Sequence, residues 1–152
     1  MDYEELRQLR KDHDLFPNEL GVEITKISAG HAEGELVIRP DHMNVINAVH
    51  GGVLFSLADT VCGNAAASYG IAMTTISATM NFLNPALNTE KLFAKADEIK
   101  HGRKICFYDV DIHDEKGRLI AQGTSTFFAL DEKAHAFSPD FAKGIKDATD
   151  KK

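Results

Sequence analysis

Most of the residues in this chain that could act on a substrate lie between Met43 and Ser68, in MNVINAVHGGVLFSLADTVCGNAAAS. The stretch reads as a loop, the glycine pair Gly51-Gly52, and a helix with a single carboxylate, Asp59. The first turn of a helix has unpaired backbone N–H groups and the positive end of the helix dipole. The Gly51 N–H could aim at a carbonyl with no Cβ in the way and stabilise it as it becomes an oxyanion. A carboxylate can deprotonate water or attack the carbon directly. Donor and carboxylate together suit acyl transfer. On a helical wheel over 53–68, Leu54, Leu57, Ala58, Val61, Cys62 and Ala65 share one arc, and Ser56, Thr60 and Asn64 recur on the other side. Asp59 falls at the margin, able to face a cleft. Gly63, Ala65, Ala66 and Ala67 would let other backbone approach closely, the profile of a helix wrapped by a sheet.

The spacing also restricts how the two groups can cooperate. Gly51 and Asp59 are eight positions apart, roughly 12 Å along one helix. A carbonyl oxygen held about 3 Å from its donor, with an aspartate reaching back, closes only about half of that gap. The Asp59 that attacks is therefore expected from a second chain, across an isologous interface that forms two identical sites.

The remaining elements form a frame for this helix. Residues 2–13 predict a short amphipathic helix with Asp2 as its cap and Tyr3, Leu6 and Leu9 on one side, broken by Phe16-Pro17-Asn18. Strands are expected over 19–28 and 32–39, joined by Ala29-Gly30-His31. From residue 72 the period changes to two, with Ile76, Ala78, Met80 and Phe82 alternating against Ser77, Thr79 and Asn81, as for a strand with one buried face. Further strands follow at about 91–100, 103–113 and 118–130, the last two joined by the turn Asp114-Glu115-Lys116-Gly117. This order indicates an α+β domain over residues 1–130. The charged extension 131–152 predicts a short helix near 139–148, begun by Ser138-Pro139.

Composition narrows the function classes. The net charge of −6 gives no support for a nucleic-acid-binding face. No apolar run is long enough to span a bilayer, and the first residues lack a signal-peptide core. Cys62 and Cys106, far apart and in apolar segments, read as reduced buried thiols, which makes the cytoplasm the simplest address. No metal-binding spacing occurs among the histidines and cysteines, so no metal is expected.

The run Asn44-x-x-Asn47-x-x-His50-Gly51-Gly52 with Leu57-Ala58-Asp59 resembles the PaaI-like (phenylacetyl-CoA thioesterase-like) branch of the hotdog-fold acyl-CoA thioesterases. The likeness extends through Ser77 and Met80-Asn81-Phe82-Leu83-Asn84-Pro85 to about Leu130. It implies a hotdog, a curved antiparallel sheet around one long central helix, with short helices here at both termini. It also implies hydrolysis of an acyl-CoA to a carboxylic acid and free CoA, with no cofactor beyond the CoA of the substrate. The resemblance assigns Asp59 as base or nucleophile and Gly51 as oxyanion donor. Asn44 would hold the thioester or the water, and Ser77 would orient water. A homodimer is the implied minimal unit, often within a dimer of dimers. The family usually has glycine where this chain has Asn47, a residue that tolerates the left-handed backbone.

His50 and Gly52 are expected to shape the site beside the donor, and Phe16, Leu54, Phe55 and Phe82 to wall the acyl pocket. The basic hairpin Lys100-His101-Gly102-Arg103-Lys104 reads first as a solvated turn and second as a contact for CoA phosphates. Cys62 has no evident histidine partner and reads as inert. Two other functions remain open: a non-catalytic acyl-CoA-binding module, and a hotdog dehydratase. The second resembles a pattern with histidine five residues after the aspartate, where this chain has Asn64.

Overall fold

The computed structural model describes residues 2–130 together with 143, 144, 146, 147 and 150. Apart from those five positions, the extension 131–152 and its expected helix lie outside the described residues.

Helix α1 (Tyr3–His13) starts where the Asp2 carboxylate accepts from the Glu4 and Glu5 N–H groups, and it buries Leu6 completely. The expected break at Phe16-Pro17-Asn18 is instead a second short helix, α2 (Leu15–Leu20). Pro17 is its third residue, within the first turn, where a missing N–H removes no intrahelical bond. Gly21, at φ +91°, ends α2, so strand β1 (Val22–Ser28) begins three residues later than the sequence suggests. Strand β2 (His31–Val37) follows, and then a single 3-10 turn, η1 (Pro40–His42). The long helix α3 (Gly51–Ala67) is followed by β3 (Met73–Phe82), β4 (Lys91–His101), β5 (Ile105–Asp114) and β6 (Leu119–Ala129).

The strands form one antiparallel sheet in the order β1-β2-β4-β5-β6-β3, and α3 packs against all six of them. Leu57, Val61, Cys62, Ala65 and Ala66 of α3 are fully buried against Leu36, Leu92, Val110 and Ile112 of the sheet. Gly34 of β2 permits part of this approach, since a Cβ there would lie 2.9 Å from the Val61 side chain. Ser56, Thr60 and Asn64 each donate to the carbonyl four residues earlier, at 2.8, 2.7 and 2.8 Å, and Asn64 is buried. The donors of the polar arc are thus satisfied on the helix, whereas the buried Asn64 Oδ1 has no partner among the described residues.

The two sheet edges differ. On β1, Glu23 takes ion pairs from Arg7 and Lys11, and Arg7 also donates to the Ile24 carbonyl. On β3 the chain has no charged residue over ten positions, and among the described residues its outer edge is unpaired. Charge and cover are the usual protections of an edge strand. The expected buried face of β3 is only partly realised: Ala78 and Met80 are half-buried, whereas Ile76 and Phe82 are each 55% exposed. Among the described residues nothing covers them further.

Candidate active site

The loop before α3 is held by its own polar groups. The Asn44 Oδ1 accepts from the Ile46 and Ala48 N–H groups at 3.0 and 3.1 Å, which holds its side chain in the turn. Asn47 occupies the left-handed region at φ 61°, so this asparagine does adopt the backbone that a glycine would supply. Below the loop, His42 is buried, its Nδ1 accepts from the Arg39 N–H, and its carbonyl accepts from the His50 N–H at 2.8 Å.

His50 is the N-cap of α3, and its Nδ1 accepts from the Gly52 N–H at 2.9 Å. That bond decides between the two glycines. The Gly52 donor is occupied, whereas the Gly51 N–H has no partner among the described residues. The Phe82 ring lies over Gly51, 3.4 Å from where a Cβ would sit.

Eight residues along α3, the half-buried Asp59 accepts at Oδ1 from the Thr75 hydroxyl at 2.9 Å. Asp59 opens onto a cleft of about 350 Å³ whose walls include Phe16, Phe55, Ile71, Met73 and Phe127. Of the expected pocket residues, Phe16 and Phe55 are there. Leu54 is instead in the core at 4% exposure, and Phe82 stands at the Gly51 end of the helix.

Thr75 has the place that the sequence reading gave to Ser77. Strict alternation puts Thr75 with Ser77 and Thr79, on the face away from Ala78. The register between β3 and β6 slips between Thr75 and Ser77, a bulge at Ile76 that reverses the alternation. Thr75 therefore lies opposite the buried Phe127, on the helix side, and Ser77 lies opposite Thr126, on the outer face of the sheet. Arg10 was also missed. It reaches the cleft from α1, and nothing in an amphipathic terminal helix marks one basic residue out from its neighbours. Burial pushes the Arg10 guanidinium pKa down while Asp14 and Asp59 pull it back, and an arginine remains charged at neutral pH. Burial pushes the Cys62 thiol up to about 12, which leaves it protonated and inert; Cys62 and Cys106 are both free.

The buried His42 gives a pH prediction. Burial, with a smaller contribution from the Arg39 charge, lowers its pKa from the ordinary 6.5. The unfolded chain then binds the proton more readily, so stability is full above about pH 6.5 and is lost as pH falls toward the lower folded value. The slope is at most about 1.4 kcal/mol per pH unit for one proton. Urea midpoints should fall from pH 7.5 to 5.5 in the wild type and fall less in His42→Gln, whose amide oxygen can accept the same Arg39 N–H. Equal slopes would remove His42 from the acid response.

Comparison with known proteins gives the family. The Thioesterase superfamily profile matches residues 46–121. The chain is 30% identical to acyl-coenzyme A thioesterase PaaI of Escherichia coli K12 over 110 residues, 72% of this chain and 79% of that protein. It is 32% identical to human acyl-coenzyme A thioesterase 13 over 116 residues, 73% of this chain and 82% of that protein. The structure of the E. coli PaaI protein superposes with TM-score 0.81 at 25% identity, covering 86% of this chain and 97% of that one. A hypothetical thioesterase of Streptococcus pneumoniae TIGR4, solved with coenzyme A, gives TM-score 0.75 at 28% identity, over 80% and 96% of the two chains. Two mutants of a hypothetical thioesterase of that organism, Asp→Ala and Thr→Ala at positions sixteen apart, each give TM-score 0.68 at 30% identity, over 71% of this chain and 89% and 88% of theirs.

A curved six-stranded sheet closed around one helix, with a carboxylate in a cleft beside that helix, is the architecture of a hotdog-fold thioester hydrolase. The chain belongs to the Thioesterase superfamily. No helix among the described residues is long and apolar enough to cross a membrane.

Proposed function

We propose that the protein hydrolyses acyl-CoA thioesters at two identical sites, each built from two copies of the chain. The observation that carries this reading is the arrangement along β3. Asp59 is tied to Thr75 near one end of the strand, and Gly51 lies against Phe82 at the other. The strand between them is an uncharged edge, unpaired among the described residues, with Ile76 and Phe82 exposed. If this edge adds to the same edge of a second copy, antiparallel, with Thr75 opposite the partner's Phe82, the two-fold axis falls between Ala78 and Thr79. Each Asp59 then meets the partner subunit's Gly51, as the spacing along α3 requires. The uncovered apolar side chains are buried by the same step. A dimer of dimers is compatible with it.

In this site the thioester oxygen accepts from the partner's Gly51 N–H, which stabilises the charge that develops there. Asp59 takes a proton from water, the water oxygen bonds to the carbonyl carbon, and the carbon–sulfur bond breaks to release the CoA thiolate and a carboxylic acid. Direct attack by Asp59 would give an anhydride that water then opens. The Thr75 bond at Oδ1 leaves Oδ2 free for either step. The spacing of sixteen between Asp59 and Thr75 equals that between the residues replaced in the S. pneumoniae mutants. Asn44 Nδ2, without a partner among the described residues, supplies a donor near the thioester. A ligand with coenzyme A suits the S. pneumoniae comparison, and the two free thiols suit a reducing compartment such as the cytoplasm.

Free-thiol trapping with a series of acyl-CoAs tests this reading. Thiol release with turnover supports it, and binding without release would favour an acyl-CoA-binding module. Thr75→Val, which keeps the shape and removes the hydroxyl, should lower kcat roughly tenfold, the value of one charge-assisted hydrogen bond. Thr75→Ser should restore most of it. An unchanged rate in Thr75→Val would show that Asp59 needs no such tether.

A further inference from the structure

Arg10 is a cation whose surroundings do not satisfy it. Its Nε is buried without a partner, and the guanidinium makes no hydrogen bond among the described residues. The nearest carboxylate oxygen, Asp14 Oδ2, is 3.7 Å from Nη2, too long for a hydrogen bond. Yet the side chain is only 20% exposed and lines the cleft that holds Asp59. Leaving charged donors unpaired in such a place is costly, so a group that comes and goes with substrate is a natural partner.

Its position defines what that group can be. Nη2 lies 3.7 Å from where a Cβ on Gly63 would sit, and Gly63 is one turn beyond Asp59 on the cleft side of α3. That places the guanidinium about 6 Å past the carboxylate along the helix. An acyl group with its carbonyl at Asp59 would run along Asp59, Gly63 and Ala67, beneath Arg10. With one cation and two carboxylates, Asp59 and Asp14, the cleft repels an anionic tail. A hydroxyl can accept from Arg10 and donate to Asp14.

We propose that Arg10 is a specificity-determining residue, paired with Asp14, which selects acyl groups with a neutral hydroxyl near their far end. This rests on the reading that the thioester lies at Asp59.

The test compares kcat/KM for hexanoyl-CoA, omega-hydroxyhexanoyl-CoA and adipoyl-CoA in wild type, Arg10→Met, Arg10→Lys and Asp59→Asn. Wild type should favour the hydroxy substrate over the plain one by roughly tenfold or more, with adipoyl-CoA below it. Arg10→Met should level the hydroxy and plain substrates while hexanoyl-CoA hydrolysis changes only a few-fold, and Arg10→Lys should keep part of the preference. Equal use of the two by wild type would overturn the assignment, even if Arg10→Met does not fold. So would an equal fall for both substrates in Arg10→Met, which marks a structural role, or a preference for adipoyl-CoA. Wild-type rates in Asp59→Asn would instead sink the placement of the thioester, whereas an inactive Asp59→Asn without a hydroxyl preference in wild type sinks the Arg10 assignment alone.

Discussion

Asp59→Asn should lower kcat by roughly 10²-fold or more and leave the fold and the proposed dimer intact, because a positioned general base contributes about 10²–10⁴ in rate. The replacement is nearly isosteric, and the asparagine oxygen can still accept from the Thr75 hydroxyl, now 2.9 Å from the carboxylate. What is lost is the negative charge proposed to take the proton or to attack. KM should change little, since the loss falls on the transition state and not on ground-state binding. Steady-state kinetics by free-thiol trapping, with circular dichroism and size-exclusion chromatography as controls, would measure this. A near-normal rate would remove Asp59 from the mechanism.

The second large effect is expected at Gly51. Proline there deletes one N–H and adds a ring whose Cβ stands where that of an alanine would. It is tolerated at the first position of a helix, where that N–H has no intrahelical partner. The preceding residue, His50, already has the extended conformation that proline favours before it, φ −62° and ψ 137°. The first-turn bonds from the Val53 and Leu54 N–H groups to the His50 carbonyl, 2.9 and 3.2 Å, do not involve Gly51. Loss of one oxyanion donor costs about 10²–10³ in rate, and Gly51→Pro should lose that much. Gly51→Ala is the control for bulk: it keeps the N–H, and its Cβ would touch the Phe82 ring at 3.4 Å. If alanine and proline were equally inactive, crowding against Phe82 would explain the loss, not the donor.

Much of this was legible in the sequence, for identifiable reasons. The apolar arc of α3 is set by a period of 3.6 that nothing interrupts, and its members Leu57, Val61, Cys62 and Ala65 are all fully buried. The resemblance puts a glycine at position 47, asparagine tolerates the same left-handed backbone, and Asn47 does lie there. The misreadings have local causes. Pro17 looked like a break because its place in a first turn depends on where α2 starts, which residue types alone do not fix. Ser77 was named from the resemblance, and the bulge at Ile76, which no residue type announces, puts Thr75 and not Ser77 on the helix side. Phe82 lies over Gly51, more than 50% exposed and at the other end of the helix from Asp59, so it could border an acyl pocket only in a site shared with a second copy. A pattern of two cannot say whether a buried face is covered by the same chain or by another.

The central claim is tested most directly by mixing two inactive proteins. Asp59→Ala subunits retain the Gly51 donor, and Gly51→Pro subunits retain the carboxylate. A hybrid dimer therefore contains one intact site and one doubly damaged site. Unfolding and refolding an equal mixture should restore roughly a quarter of wild-type activity, because about half of the dimers are hybrids with one working site of two. Activity no higher than that of the separate mutants, in a sample shown to contain hybrids, would contradict a site shared between chains.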